Sequence, residues 1–210
     1  MIKKNWKTLL ITSLVILLPI VAGFILWDRL PEQIPSHWNI AGEIDGWSSK
    51  SFTVFGIPLI LLAAQWLCVL GTSADPKKAN HTKKILPLVL WIMPVLSALL
   101  HTIVYATALG KQVSVEIIIP LFVGLLLAVV GNYLPKCKQN YTIGIKIPWT
   151  LNSEENWNRT HRFAGRLWVI CGLAIAATAF LGNVWLCLIF FAVMVAGPLI
   201  YSFVLHRKGV

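Results

Sequence analysis

Few groups in this chain stand where chemistry would need them. Acyl transfer calls for a nucleophile beside a partnered base, and metal-assisted hydrolysis for a cluster of ligands. His37 with Asp45, and His161 with Glu154 or Glu155, are near enough in sequence to meet, but such pairs arise easily by chance. Cys68, Cys137, Cys171 and Cys187 form no C-x-x-C and no Cys/His group with zinc spacing. Three of them fall in apolar runs and one in a polar segment, so they read as small packing residues. What remains suggests binding: an acidic, Trp-containing stretch at residues 28–51 and a basic, Trp-containing stretch at 131–168. The chain is therefore read as a non-enzyme that needs no cofactor and no metal.

Both stretches interrupt hydrocarbon. Of 210 residues, 57% are hydrophobic and 12% charged, where a soluble domain carries about 25% charged residues. Such a chain cannot cover a water-facing surface. The fold class is an all-α integral membrane protein, a single membrane domain over residues 1–210. A helix crosses the hydrocarbon with about 20 apolar residues. Six stretches qualify: Leu9–Trp27, Phe52–Gly71, Ile85–Leu109, Val115–Leu134, Leu167–Gly182 and Val184–Val204. The fifth is the shortest and is expected to begin inside an amphipathic membrane-surface helix. The turn at Gly182–Asn183 predicts a tight hairpin between spans five and six. The first apolar run is longer than the ~7–15 residues of a signal-peptide core and lacks an A-x-A site, so it is read as an uncleaved span.

Orientation follows from the basic residues. With both termini cytoplasmic, Lys3, Lys4, Lys7, Lys77, Lys78, Lys83, Lys84, Lys136, Lys138, Lys146, Arg159, Arg162, Arg166, Arg207 and Lys208 lie inside, and only Arg29, Lys50 and Lys111 lie outside. That bias accounts for the net charge of +10. It points to a membrane with an anionic inner leaflet, and not to direct nucleic-acid binding. On this count the loop 72–84 is a solvated, lipid-attracted face.

Residues 28–51, DRLPEQIPSHWNIAGEIDGWSSKS, form the outer loop. Pro31 and Pro35 favour extended backbone, and Ala41-Gly42 and Asp45-Gly46 are turn signals. Two readings stand side by side. In one the loop is a lid, with Trp38 and Trp47 in the headgroup belt. In the other it is an outward ligand surface of Glu32, His37, Trp38, Asn39, Asp45 and Trp47, acidic enough to attract a cationic partner.

Four polar side chains fall inside or at the ends of spans: Gln65, His101, Glu116 and Asn132. An ionisable residue in hydrocarbon is a functional candidate by default. His101 is either a proton- or ligand-sensing group or a bundle-facing hydrogen-bonder, and Gln65 reads as a helix–helix hydrogen bond. A small transporter using His101 and Glu116 is the alternative function, although two isolated ionisables do not make a pathway. A structural or regulatory membrane partner is the other alternative.

The basic stretch reads as a cytoplasmic platform, residues 135–166. Gln139–Ile147 suggests a short extended piece or turn around Gly144, ended by Pro148. Asn152 or Ser153 caps a helix with Glu154 and Glu155 in its first turn. Trp157, His161, Ala164, Leu167 and Trp168 then share one helical face, and Arg159, Arg162 and Arg166 another. A helix of this kind suits the inner leaflet as a lipid-anchoring elbow. It also suits protein docking, since Arg and Trp concentrate at binding hot spots. Lys146 and Trp149 belong to the same platform.

Two strings carry a resemblance. LPEQIPSHWNIAGEIDGWSSK is similar to the LP-x-x-IP-x-HW-x-x-x-G-x-x-DGW-x-SK segment of small bacterial membrane proteins of the SdpI type. NYTIGIKIPWTLNSEENWNRTHRFAG resembles the second half of the same family. They occur in the expected order, and the resemblance covers nearly the whole chain. It implies an immunity protein that protects a Bacillus-type producer from a secreted toxin peptide acting on the plasma membrane. It further implies a receptor that, with toxin outside, holds a cytoplasmic repressor at the membrane. No functional residues are transferred by it.

Overall fold

A computed structural model describes residues 2–81 and 85–210, without the side chains of residues 2–4. Lys83 and Lys84, and the side chains of Lys3 and Lys4, which entered the charge count, lie outside the described residues. In chain order the elements are helix α1 (Ile2–Ile25), strands β1 (Gln33–Trp38) and β2 (Ile44–Ser49), and helices α2 (Ile57–Ala74), α3 (Ile85–Ala108), α4 (Val115–Tyr133), α5 (Pro148–Asn152), α6 (Glu154–Thr178) and α7 (Val184–Arg207). They fall into two compact units. One holds residues 1–73 and 86–115, the other residues 74–85 and 116–210.

Among the described residues, five helical stretches are long and apolar enough to cross a membrane: Asn5–Ile25, Phe52–Ala74, Ile85–Ala108, Val115–Lys136 and Val184–Arg207. Their outward side chains are hydrocarbon. On α1, Leu14, Leu18, Val21 and Phe24 are all more than half exposed, which a water-facing surface would not tolerate in such a run. The structure thus bears out a largely helical membrane protein.

The β-hairpin is the exception to an all-α chain. β1 and β2 pair antiparallel, from Gln33 opposite Ser49 to Trp38 opposite Ile44, with bulges on either side of His37. Ala41-Gly42 does make the turn, with Gly42 at φ 80°. Asp45-Gly46 does not turn; it lies within β2, where the bulge meets His37.

In the first unit, polar side chains tie apolar helices together. Gln65 on α2 donates through Nε2 to the Thr12 hydroxyl of α1 at 3.0 Å. Ser97 and Tyr105 of α3 donate to the Ile16 and Pro19 carbonyls of α1, both at 3.0 Å. In a membrane such bonds and close packing do what hydrophobic burial does in water. At the hairpin end, Leu30, Ile34, Val54, Val104 and Tyr105 form a buried cluster, with Trp38 packed against it.

The second unit is built around α6. The expected surface helix and fifth span are one unbroken helix from Glu154 to Thr178. Its buried stripe runs continuously from Trp157 through His161, Ala164 and Cys171 to Ile175, so nothing in the pattern stops it. It ends earlier than expected. The turn spans Ala179–Asn183, with Gly182 at φ 60° and Asn183 capping α7 through its side chain. Against α6, helix α4 packs at a distance only small residues allow: a Cβ on Gly172 would come 2.6 Å from the Ala128 nitrogen, and one on Gly124 2.4 Å from the Ala176 nitrogen. This is small-residue packing typical of membrane helices.

Candidate functional site

Two polar constructions stand out, the hairpin and the platform. At the hairpin's base Lys50 is buried. Its ammonium donates to the Trp27 and Leu30 carbonyls at 3.3 and 3.2 Å, pairs with Glu32 at 2.8 Å and lies 4.8 Å from the Trp27 ring centre. All three of its protons thus have acceptors, which lets a charge sit at a nearly dry position. At the tip, the Asn39 side chain accepts from the Ala41 and Glu43 backbone and donates to the Glu43 carboxylate. His37 Nδ1 meets Asp45 at 2.5 Å across the strands.

The six expected ligand-surface residues therefore divide. Glu32, Asn39 and the His37–Asp45 pair clip the hairpin, although His37, Asp45 and Glu32 remain exposed. Trp38 packs inward and is half-buried. Trp47 (56% exposed) and the unforeseen Ile40 (75%) project from the hairpin. The hairpin is a braced display with an acidic flank and two apolar contacts.

The platform is a folded structure around two buried rings. Trp157 and His161 stack with centres 4.1 Å apart. The Trp157 indole donates to the Cys137 carbonyl at 2.8 Å. The Ile145 N–H can only donate, so His161 Nε2 accepts at 2.9 Å, and Nδ1–H donates to the Trp157 carbonyl at 2.8 Å. Both nitrogens are satisfied only in the neutral ring. Burial accordingly pulls the His161 pKa down to about 4, against the opposing effect of the Trp157 carbonyl. Gly144, between Ile143 and Ile145, runs over these rings at φ 120°, and a Cβ there would lie 2.5 Å from His161 Nε2.

The loop after α2 belongs to this platform, a correction to its reading as a solvated face. Asp75 is buried. Its carboxylate accepts from the Lys77 N–H at 2.7 Å and from the Tyr141 N–H and Thr142 hydroxyl at 2.9 Å, with His81 at 3.3 Å. Burial pushes the carboxyl up, but the Lys77, Thr142 and Tyr141 hydrogen bonds and His81 outweigh it and hold the pKa below its ordinary value. Lys77 donates to the Gln139 side chain and Asn80 to the Gln139 carbonyl. Asn140 closes its own turn onto Thr142 and Ile143. Farther on, buried Asn156 bonds the Ser202 carbonyl and hydroxyl and the Val210 carbonyl. Spacing did not reveal these residues. The traces they leave are Asp75 before Pro76 and the Asn140-x-Thr142 turn.

The platform candidates divide as well. Trp157 and His161 are buried and present no docking face. Trp149 is half-buried against Phe203 and His206. Lys146, Arg159, Arg162 and Arg166 are exposed. Burial of the Cys137 thiol raises its pKa to about 11. Of the span residues, Gln65 makes the helix–helix bond expected of it. His101 is buried, with Nδ1 2.8 Å from the Ser97 carbonyl and Nε2 3.3 Å from the Thr53 carbonyl. Glu116, in the first turn of α4, and Asn132 are exposed. His101 and Glu116 lie in different units.

The fold and these two constructions define a multi-pass membrane protein with a braced β-hairpin and a folded basic platform. Residues 136–202, most of the platform with α6 and α7, match the SdpI/YfhL protein family, and residues 14–62, which contain the hairpin, match a domain of unknown function, DUF1648. The chain is 32% identical over 187 residues to the immunity protein SdpI of Bacillus subtilis (strain 168), covering 89% of this chain and 86% of that protein. It belongs to the SdpI family. No solved structure matches it.

Proposed function

We propose that the chain is an immunity protein of the bacterial plasma membrane, protecting the cell from a secreted toxin peptide. The observation that carries this is likeness to an immunity protein over nearly the whole chain. It is a binding role. The hairpin faces the medium and offers Trp47, Ile40 and its acidic flank to a cationic, amphipathic peptide. Lys50 and the Asn39 turn keep that surface folded without a ligand, which lowers the ordering cost of binding.

Both termini lie in the cytoplasm, and the second half of α6 is the fifth of six spans. Its small-residue contact with α4 and its exposed Ile170 and Leu173 support this. Toxin outside then favours one arrangement of the chain over another, and a cytoplasmic repressor is held at the platform in that arrangement. Exposed Lys146 beside Trp149 and the basic end of α7, Arg207 and Lys208, is the surface suited to it.

The test is expression in a toxin-sensitive strain followed by toxin challenge. Survival at concentrations that kill the empty-vector strain is expected, and equal killing would remove the reading. Trp47→Ser with Ile40→Ser should abolish protection while leaving the amount of protein in the membrane unchanged.

A further inference from the structure

Between α6 and α7 lies an open groove of about 550 Å³, lined by Glu155, Arg159, Arg162, Phe163, Arg166 and Tyr201. Arg159 is engaged by Glu155, and Arg162 spends only its Nε on the Asn158 carbonyl. Among the described residues Arg166 has no hydrogen bond and no ion pair. Each guanidinium carries five donors in a fork matched to phosphate. The groove therefore presents two largely unspent forks and an excess of positive charge. Its wall is the stacked pair Phe163 and Tyr201, with centres 4.5 Å apart.

The same stripe of α6 continues past the arginines. Positions 159, 162, 166, 170 and 173 follow at helical steps of three and four, and Ile170 and Leu173 are 65% and 52% exposed. A ligand that fills the groove and stays on this stripe is anionic at one end and hydrocarbon at the other. We infer that the groove is a binding site for an anionic phospholipid, its phosphate held by Arg162 and Arg166 and its chains lying along Ile170 and Leu173. A soluble phosphate would leave that apolar stripe unused, and a soluble protein would have to cover it.

This rests on the membrane reading and not on toxin immunity. The full chain, purified in mild detergent, is mixed with phosphatidylglycerol or phosphatidylcholine, and bound lipid is read by native mass spectrometry. The wild type should retain phosphatidylglycerol at least tenfold over phosphatidylcholine, as charge-assisted bonds to two guanidiniums imply. Arg162→Gln with Arg166→Gln should erase the preference. Arg162→Lys with Arg166→Lys should keep most of it, and Lys111→Gln all of it. Unchanged retention by the Gln pair overturns the inference, whether or not a cytoplasmic protein is lost with it. Displacement of the lipid by equimolar glycerol 3-phosphate overturns it too, because the site would then be one for a soluble phosphate.

Discussion

His161 and Asp75 set the acid sensitivity of the platform. The folded chain holds His161 near pKa 4, below its ordinary 6.5, so between those values the unfolded chain binds more protons. Stability therefore falls as pH drops from 6.5 toward 4, by about 3 kcal/mol for that shift. Asp75, held below its ordinary pKa, adds a loss of the same sign at lower pH. The melting temperature of the purified protein should drop across this range, and His161→Gln should flatten the drop; a wild-type melting temperature independent of pH would contradict the assignment. Gly144 combines a left-handed φ with a 2.5 Å approach to His161. Gly144→Ala should cost more than about 2 kcal/mol, read as thermal stability, and a neutral effect would mean that the turn relaxes freely. Periodicity placed Trp157 and His161 on one face but did not say whether that face met lipid or protein, because an apolar stripe is the same in both. Asp75 was illegible because two of its donors, Tyr141 and Thr142, lie more than sixty residues away in another loop.

At the scale of elements, the hairpin depends on one buried cation. Lys50→Met keeps the stem but leaves two carbonyls and Glu32 without their donor, a loss of about 1–3 kcal/mol. Amide hydrogen exchange at Ile34 and His37 should quicken tenfold or more, with α3 unaffected; unchanged exchange would show the strands to be held by their ladder alone. The prolines and Ala41-Gly42 made extended backbone and a turn legible. The pairing of two strands was not, because bulges around His37 break the alternation that marks them. Helix α6 was legible at its start, where Ser153 accepts from the Asn156 N–H at 3.1 Å. Its continuity into the fifth span was legible too, from the helical period running through Leu167 and Trp168; its end at Thr178 was not.

For the whole molecule, composition alone announced the membrane, since 12% charged residues leave no other solvent for the chain. Five of the six expected spans emerge as apolar helices with nearly the expected ends. The remaining one is half of α6, where glycines and alanines replace large apolar residues so that α4 can approach. We propose that the hairpin faces the medium and the platform the cytoplasm. The most direct measurement places a single cysteine at Ile40 or at Lys146, in a chain whose four native cysteines are replaced, and exposes intact cells to a membrane-impermeant maleimide. Labelling is expected at position 40 in intact cells and at position 146 only after lysis. Labelling of position 146 in intact cells, or protection of position 40, would contradict it.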